Sequence, residues 1–410
     1  MLIDSTTDSL SYWHATAEPL VPADSLPFTA EVVVIGGGML GVWTTYWLAK
    51  AGLKPLLLEK TAIGWGASGR NGGFLTGGSA VGYQRQIDLL GAERAREFQS
   101  LTNLGEDLPH QVVAEEEIDC DLRRNGTINI VVTEEQLADA HTNMELLNGA
   151  GFPAEFLDRQ QLQEIIKTPL ADEILGASMA PTGGLLHSAR YLQGLVKAAI
   201  RQGASVAKAE VAALSKHGDG VRIETTSGSI DAGHVVVAMN AWTDTLIPEM
   251  KGVIVPTRGQ ILAYKPYRPV FVTANGADLT PTAEYWQQTP DGSIIIGGRR
   301  ADAPNKDSDV REMVSTPDVI AKIDEILPRL FPELSDLEID RTWAGLMAFT
   351  PDGLPIVDRA VESENIWFGG GFNGHGMPFG PILGKLLAET IAGSNPPGAL
   401  ALFSKFRLAD

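Results

Sequence analysis

Gly36, Gly38 and Gly41, followed by an acid at Glu59, form the arrangement in this 410-residue chain best suited to hold a charged organic ligand. In the pattern G-x-G-x-x-G the first glycine permits a sharp turn. The second lets backbone approach a pyrophosphate, and the third lets a helix sit close to a strand. The N–H groups at the start of that helix, with its dipole, favour the negative charge of the phosphates. A carboxylate roughly twenty residues beyond the glycines can accept both ribose hydroxyls, and Glu59 stands there. An acid would repel a 2′-phosphate, so the ligand is FAD or NAD rather than NADP; the stretch leaves that choice open.

The elements around the glycines fit this reading. Residues 32–35 (VVVI) are four β-branched residues in a row, which suits a strand buried on both faces. A second apolar strand covers 55–58 and ends at Glu59. Residues 64–80 (GWGASGRNGGFLTGGSA) are too glycine-rich for a helix interior and read as a ligand cradle rather than a flexible loop. Helices are expected over 84–117, 134–148, 159–166, 191–201 and 318–330. A further helix is expected over 379–392, with Pro381 in its first turn, where proline is tolerated. Strands are expected over 123–132, 204–207, 234–239 and 365–371, with a hairpin over 208–226 and a β-rich segment over 252–300. The residues ahead of 31 read as an extended arm anchored by Tyr12 and Trp13.

The length suggests two or three domains at about 150 residues each. Hydrophobic residues make up 44% and charged residues 20%, as expected of a globular protein. The net charge of −19 argues against nucleic-acid or anionic-membrane partners. Cys120 is the only cysteine, which leaves no internal disulfide and no cysteine metal cluster; it reads as an ordinary semi-buried thiol. The histidines lack metal-ligand spacing, so no metal is expected, and no G-x-S-x-G hydrolase motif is present. No basic-then-apolar leader opens the sequence, and no apolar run approaches the roughly 20 residues of a membrane helix. The expected location is cytoplasmic.

The fold class expected is α/β (α+β overall): a Rossmann-like nucleotide-binding domain interrupted by a second domain with a mixed or antiparallel sheet. The boundaries expected are an N-terminal arm over 1–28, the nucleotide-binding domain over 29–84, 176–250 and 338–410, and the substrate domain over 85–175 and 251–337. Ligand sites often lie between two such domains.

Seven stretches, in order, resemble the D-amino-acid-oxidase superfamily of flavoproteins: EVVVIGGGMLG with Glu59, IGWGASGRNGG, GGLLHSARYLQGL, VVVAMNAWTDTL, PTRGQILAY, TPDGLPIVD and GFNGHGMPFGP. GASGRNGG and the aromatic SYW arm are most similar to the γ-glutamylputrescine oxidase branch, beside the glycine and sarcosine oxidases. The resemblance implies FAD rather than NAD. Gly36, Gly37, Gly38, Met39, Leu40 and Gly41 would hold the pyrophosphate, and Glu59 with Lys60 the adenosine ribose. Ser68, Arg70, Asn71, Gly72 and Gly73 would line the pyrophosphate and isoalloxazine, Val211 the adenine, and Asn240 and Trp242 the phosphates. Gly371, Asn373, Gly374, His375, Gly376 and Met377 would pass the flavin pyrimidine edge. There a helix N-terminus and the free N–H groups of the turn would stabilise the charge of reduced flavin.

Three positions depart from relatives. Gly345 stands where covalent sarcosine oxidases carry a flavin-linked cysteine, Gly66 follows Trp65 where others have a flavin-linked histidine, and Pro378 replaces a carboxylate-binding lysine. These imply non-covalent FAD, and within the substrates the resemblance implies, an amine or an N-substituted or α-amino acid, they tilt the reading towards an amine or a larger N-substituted compound. The chemistry implied is removal of hydride from the C–H next to nitrogen to flavin N5, imine hydrolysis, and reduction of O2 to H2O2. The alternative is a dehydrogenase passing electrons to a quinone or protein acceptor. An NAD-dependent dehydrogenase would be colourless, and an RNA-modifying or non-catalytic flavoprotein is disfavoured by the acidic charge in the first case.

On the substrate side, Arg299 and Arg300 close the strand SIIIGGRR. Side chains alternate along a strand, so one should point inward to bind a carboxylate and the other to solvent. Tyr285 and Trp286 divide in the same way between pocket wall and core. Arg258 reads as a structural ion pair before an active-site residue. Lys306 could promote oxygen reduction, and His375 reads as a turn or flavin-edge residue before a base. Because the flavin performs the hard step, the protein need only bind and orient the amine and exclude water.

Overall fold

The computed structural model describes residues 10–393 and 398–408; residues 1–9 of the expected arm and 394–397 and 409–410 of the expected final segment lie outside them. Two eight-stranded sheets organise the chain. The first contains five parallel strands: β1 (Thr29–Ile35), β2 (Leu56–Glu59), β3 (Ser205–Lys208), β4 (Gly228–Val237) and β5 (Ser363–Gly370). Their spatial order is β5-β4-β1-β2-β3. The hairpin Val211–His217 with Gly220–Thr225 and the strand Ile356–Ala360 extend it antiparallel.

The run of β-branched residues in β1 is explained by two cores. Val32 and Val34 pack among helices on one face, and Val33 and Ile35 pack under the hairpin on the other. A strand with both faces buried needs no polar alternation. The helical face is built by α1 (Met39–Lys50), α2 (Ala92–Glu115), α3 (Ser188–Arg201) and α4 (Gly376–Ile391). None of the helices among the described residues is long and apolar enough to cross a membrane.

The second sheet runs Ile339–Phe349, Val255–Tyr264, Ile294–Gly297, Glu284–Gln288, Ala274–Ala277, Thr127–Val131, Gly176–Ala180, Glu155–Asp158. Its pairs are antiparallel except Ala274–Ala277 with Thr127–Val131. The boundaries expected at 176 and 338 therefore fall ahead of two strands that pair in this sheet. Gly176–Ala180 lies between Thr127–Val131 and Glu155–Asp158, and Ile339–Phe349 pairs along nearly the whole of Val255–Tyr264. Val255–Tyr264 lies more than 70 residues before Ile339–Phe349, and Thr127–Val131 more than 40 before Gly176–Ala180, so local pattern could not reveal these pairings.

Two local expectations also change. The arm contains a short helix, Tyr12–Ala15, with Tyr12 and Trp13 buried. The last long helix begins at Gly376, so Pro381 lies in its interior and Pro378 occupies the first turn. Proline is as well tolerated at Pro378 as it was expected to be at Pro381.

Candidate active site

The residues expected around a dinucleotide leave the carboxyl ends of four neighbouring parallel strands. Gly36 follows β1, Glu59 closes β2, Asn240 and Trp242 follow β4, and Gly371 follows β5. This edge is where open α/β sheets bind ligands.

The turn after β1 has no room for side chains. Gly36 has φ of 109°, and its N–H donates to Leu58 O at 2.8 Å. A Cβ on Gly41 would lie 1.9 Å from Gly36 O, so helix and strand touch backbone to backbone there. The α1 N-cap, Gly38, supplies no side-chain acceptor. Ser68 Oγ accepts from Met39 N at 2.9 Å and ties the glycine-rich loop to the helix start. Glu59 accepts from Gly37 N at 2.9 Å through one oxygen and from Thr61 N at 2.8 Å through the other. Each oxygen keeps a lone pair for a ribose hydroxyl. Burial raises its pKa, and the backbone donors oppose that rise. These features fit FAD: a tight cradle, a helix start whose own N-cap residue has no side chain, and a fixed carboxylate. Val211 opens the first strand of the hairpin, two residues past Ala209, whose N–H donates to Glu59 O at 3.1 Å. Lys60 instead turns to Glu210 at the surface, 3.5 Å away.

Arg70 is buried, and its side chain donates to Trp65 O at 3.1 Å and Ala344 O at 3.0 Å. Its guanidinium also lies 5.2 Å from the Trp65 ring centroid. Gly345 gives it room, since a Cβ there would sit 2.9 Å from Arg70 Cβ. Asn71 Oδ1 accepts from Gly73 N at 2.9 Å and Ser188 Oγ at 2.6 Å, while its amide nitrogen donates to Ser68 O at 3.0 Å. That amide also reaches Met377 Sδ at 3.6 Å, joining the loop to α4.

The turn before α4 is held from both sides. Asn240, at φ 47°, accepts from Gly371 N at 3.0 Å. Asn373, at φ 52°, is buried; it accepts from Thr350 N at 2.9 Å and donates to Gly371 O at 2.6 Å. His375 is the α4 N-cap without a side-chain cap bond. Its Nδ1 sits 3.1 Å from Asn373 O, which assigns the proton to Nδ1. Burial lowers its pKa, so the ring is neutral with Nε2 free to accept. Gly374 is exposed and Gly376 opens the helix.

A cavity of about 590 Å³ is lined by Thr257, Arg300, Ala301, Ala303, Asn305, Lys306, Ser308 and Phe349; the residue before Phe349, Ala348, accepts through its carbonyl from Asn373 N of this turn at 2.9 Å. The adjacent arginines do not follow the strand alternation expected of them, because the strand stops at Gly297. Arg299 takes a left-handed conformation (φ 56°) and pairs with Asp302 at 2.9 Å. Arg300 reaches the cavity and stacks over Phe349 at 4.5 Å. Arg258 is committed to Asp307 through two hydrogen bonds, at 3.0 and 2.7 Å, and Gln260 donates to the same carboxylate at 2.7 Å. Tyr285 packs against the loop: a Cβ on Gly72 would meet its ring at 3.0 Å, and its ring lies edge-on to Phe74 at 5.8 Å. Burial pushes its hydroxyl up to about 12, and Arg300 draws it back. Its neighbour Trp286 is fully buried in the second core.

A model of the family of FAD dependent oxidoreductases denoted DAO matches residues 31–390. The chain belongs to that family. It is an FAD-dependent oxidoreductase of the amine and amino-acid type. It is similar to γ-glutamylputrescine oxidoreductase of Escherichia coli, 27% identical over 95% of this chain and 90% of that protein. It is also similar to glycine oxidase of Geobacillus kaustophilus, 25% identical over 92% and 97%. The crystal structure of L-proline dehydrogenase from P. horikoshii shares the fold, with a TM-score of 0.79 at 24% identity over 94% of this chain and 99% of that one.

Of the residues that line the cavity, the sequence reading singled out Arg300 and Lys306 but not Thr257, Asn305, Ser308 or Phe349. Phe349 directly precedes the TPD motif, a signal that could have found it. Ser188 lies in the GGLLHSARYLQGL stretch, where the motif was noted without choosing a residue.

Two histidines behind the loop make stability fall in acid. Burial, with Arg70 nearby, holds His14 down to about 4, and burial with Arg190 nearby does the same to His187. Between pH 6.5 and 4 the unfolded chain binds protons that the native histidines refuse, so stability is lost as pH falls through that window. Glu59 and Glu284, both raised by burial, act in the opposite sense. The difference between chains therefore isolates the histidine effect: thermal melts from pH 7 to 4.5 should decline less steeply for His187→Gln than for the native protein. Parallel declines would remove His187 as a cause.

Proposed function

We propose that this chain is an oxidase of an amine bearing a separate carboxylate, with FAD held non-covalently and O2 as the acceptor. The observation that carries the reading is the cavity with two cations. Arg300 makes no ion pair among the described residues; Asp307, near enough to act on it, is already bound by Arg258 and Gln260. Lys306 likewise has no acidic partner among them, and it sits in a left-handed conformation at φ 54°. In a chain of net charge −19, such a pair fits an anionic substrate group. A γ-glutamylated diamine, the compound class named in the E. coli relative, combines an amine with such a carboxylate.

FAD, when bound, supplies the two-electron acceptor for the C–H bond beside nitrogen. Arg300 and Lys306 would hold the carboxylate, with Thr257 and Ser308 as further polar wall. Tyr285 stays protonated at neutral pH, and its hydroxyl bonds to no protein atom among the described residues, so it is available to orient the substrate. Neutral His375 could accept a hydrogen bond through Nε2. The Gly345 position supports non-covalent binding, because Arg70 already fills the space a cysteine side chain would need.

Arg300→Ala should raise KM for carboxylate-bearing amines about 10–100-fold, the loss of a charge-assisted hydrogen bond of roughly 1.5–3 kcal/mol, with kcat little changed. Simple alkylamines should be unaffected. Equal KM values in both chains would contradict the assignment. Turnover that needs a quinone and ignores O2 would replace the oxidase by the dehydrogenase.

A further inference from the structure

The loop before the second sheet turns its carbonyls outward one after another. Gly69 O accepts from Ser11 Oγ at 2.6 Å, Arg70 O from Trp343 Nε1 at 3.0 Å, and Asn71 O from Trp13 Nε1 at 2.6 Å. Gly72 O accepts from the Gln287 amide, and Gly73 O from Leu186 N at 2.9 Å. Two of these five donors come from the arm, whose His14 Nε2 also reaches Gly64 O at 3.1 Å. His14 is stacked on Trp65 at 5.0 Å, and Ser11 and Trp13 are almost completely buried. An arm that served only to cover the surface would have no need to meet the loop through its polar atoms.

The described peptide bonds are all trans. In a trans peptide the C=O of one residue and the N–H of the next point in opposite directions. Binding Asn71 O on the arm side therefore aims the Gly72 N–H away from the arm, and Trp343 fixes the Asn71 N–H in the same way. Neither of these N–H groups donates to a protein atom among the described residues. Two adjacent free amides next to Arg70 and Asn71 form a fixed donor pair for a negatively charged atom.

We propose that the arm is part of the cofactor site: Trp13, supported by Ser11 and His14, is a positioning clasp that aims the Gly72 amide at bound flavin. The inference rests on the FAD dependence of the family and not on the identity of the substrate. Loosening the clasp lets the Gly72 peptide turn, weakening FAD binding and withdrawing a dipole from the negative charge of the reduced ring.

The test compares Trp13→Phe, which keeps an aromatic ring and removes the indole donor, with Ser11→Ala and Thr16→Val. Thr16 Oγ1 bonds to Tyr12 O and lies 2.9 Å from His187 Nε2. Its loss removes an arm contact that does not involve the loop and leaves the Ser11, Trp13 and His14 bonds in place. Apoprotein titrated with FAD, followed by fluorescence quenching, gives the affinity, and dye-coupled reduction of the holoenzyme gives the midpoint potential. Trp13→Phe should weaken FAD binding about tenfold and lower the potential; Ser11→Ala should do the same to a smaller degree, and Thr16→Val should leave both at native values. If Trp13→Phe does not fold, Ser11→Ala against Thr16→Val decides. Native affinity and potential in the clasp variants would overturn the proposal, as would equal losses in Thr16→Val. A native chain that bound no FAD would instead reject the cofactor reading beneath it.

Discussion

Gly41→Val is expected to yield a colourless protein. The substituted Cβ would begin 1.9 Å from Gly36 O, and Ala238 Cβ stands 3.3 Å from it. Gly36 cannot retreat: its N–H is bonded to Leu58 O, and Ala238 O lies 2.6 Å from where its own Cβ would be. The start of α1 must therefore move away from β1 by more than an ångström, carrying its N–H groups off the cradle. FAD affinity should fall more than about a thousandfold, equivalent to roughly 4 kcal/mol. Far-UV circular dichroism separates lost binding from lost fold. A folded, yellow Gly41→Val protein would show that this turn does not hold the pyrophosphate.

Arg70→Met should damage both stability and catalysis. The buried guanidinium bridges the loop to Ile339–Phe349, and methionine would leave Trp65 O and Ala344 O without these donors. Stranded buried polar groups cost about 1–3 kcal/mol each, so a thermal melt should show a clear loss. Freed from the strand, the loop would misplace its amides, and a shift of about 1 Å can cost on the order of a hundredfold in rate. We expect kcat to fall by that factor with KM changed much less. A variant that lost stability but kept native kcat would make Arg70 structural only.

Much of the nucleotide half was legible because its signals are local. The turn at Gly36–Gly41, the double-faced apolar run of β1 and the acid at Glu59 all fall within one βαβ unit. The glycines also marked the residue 64–80 loop as a cradle. What holds that cradle was not legible, because Trp343 and Arg70 are 273 residues apart and Trp13 and Asn71 are 58 apart. Arg299 and Arg300 show a different limit. Alternation assumes that a strand continues, and here it stops at Gly297, two residues before the left-handed Arg299, leaving Arg300 in the cavity and Arg299 on Asp302. The start of α4 was misplaced by one turn because Gly376 reads as part of the preceding glycine turn, although Pro378 suits a first turn.

The measurement that bears most directly on the proposed chemistry is anaerobic bleaching of the visible flavin absorbance by a panel of amines, N-methyl amino acids, D- and L-amino acids and γ-glutamyl diamines. Acid precipitation of the same sample should release the flavin into the supernatant. Bleaching by an amine that carries a separate carboxylate, followed by recovery of colour when air is admitted, is the result expected. Bleaching by simple alkylamines alone, or by no amine or amino acid, would contradict the account.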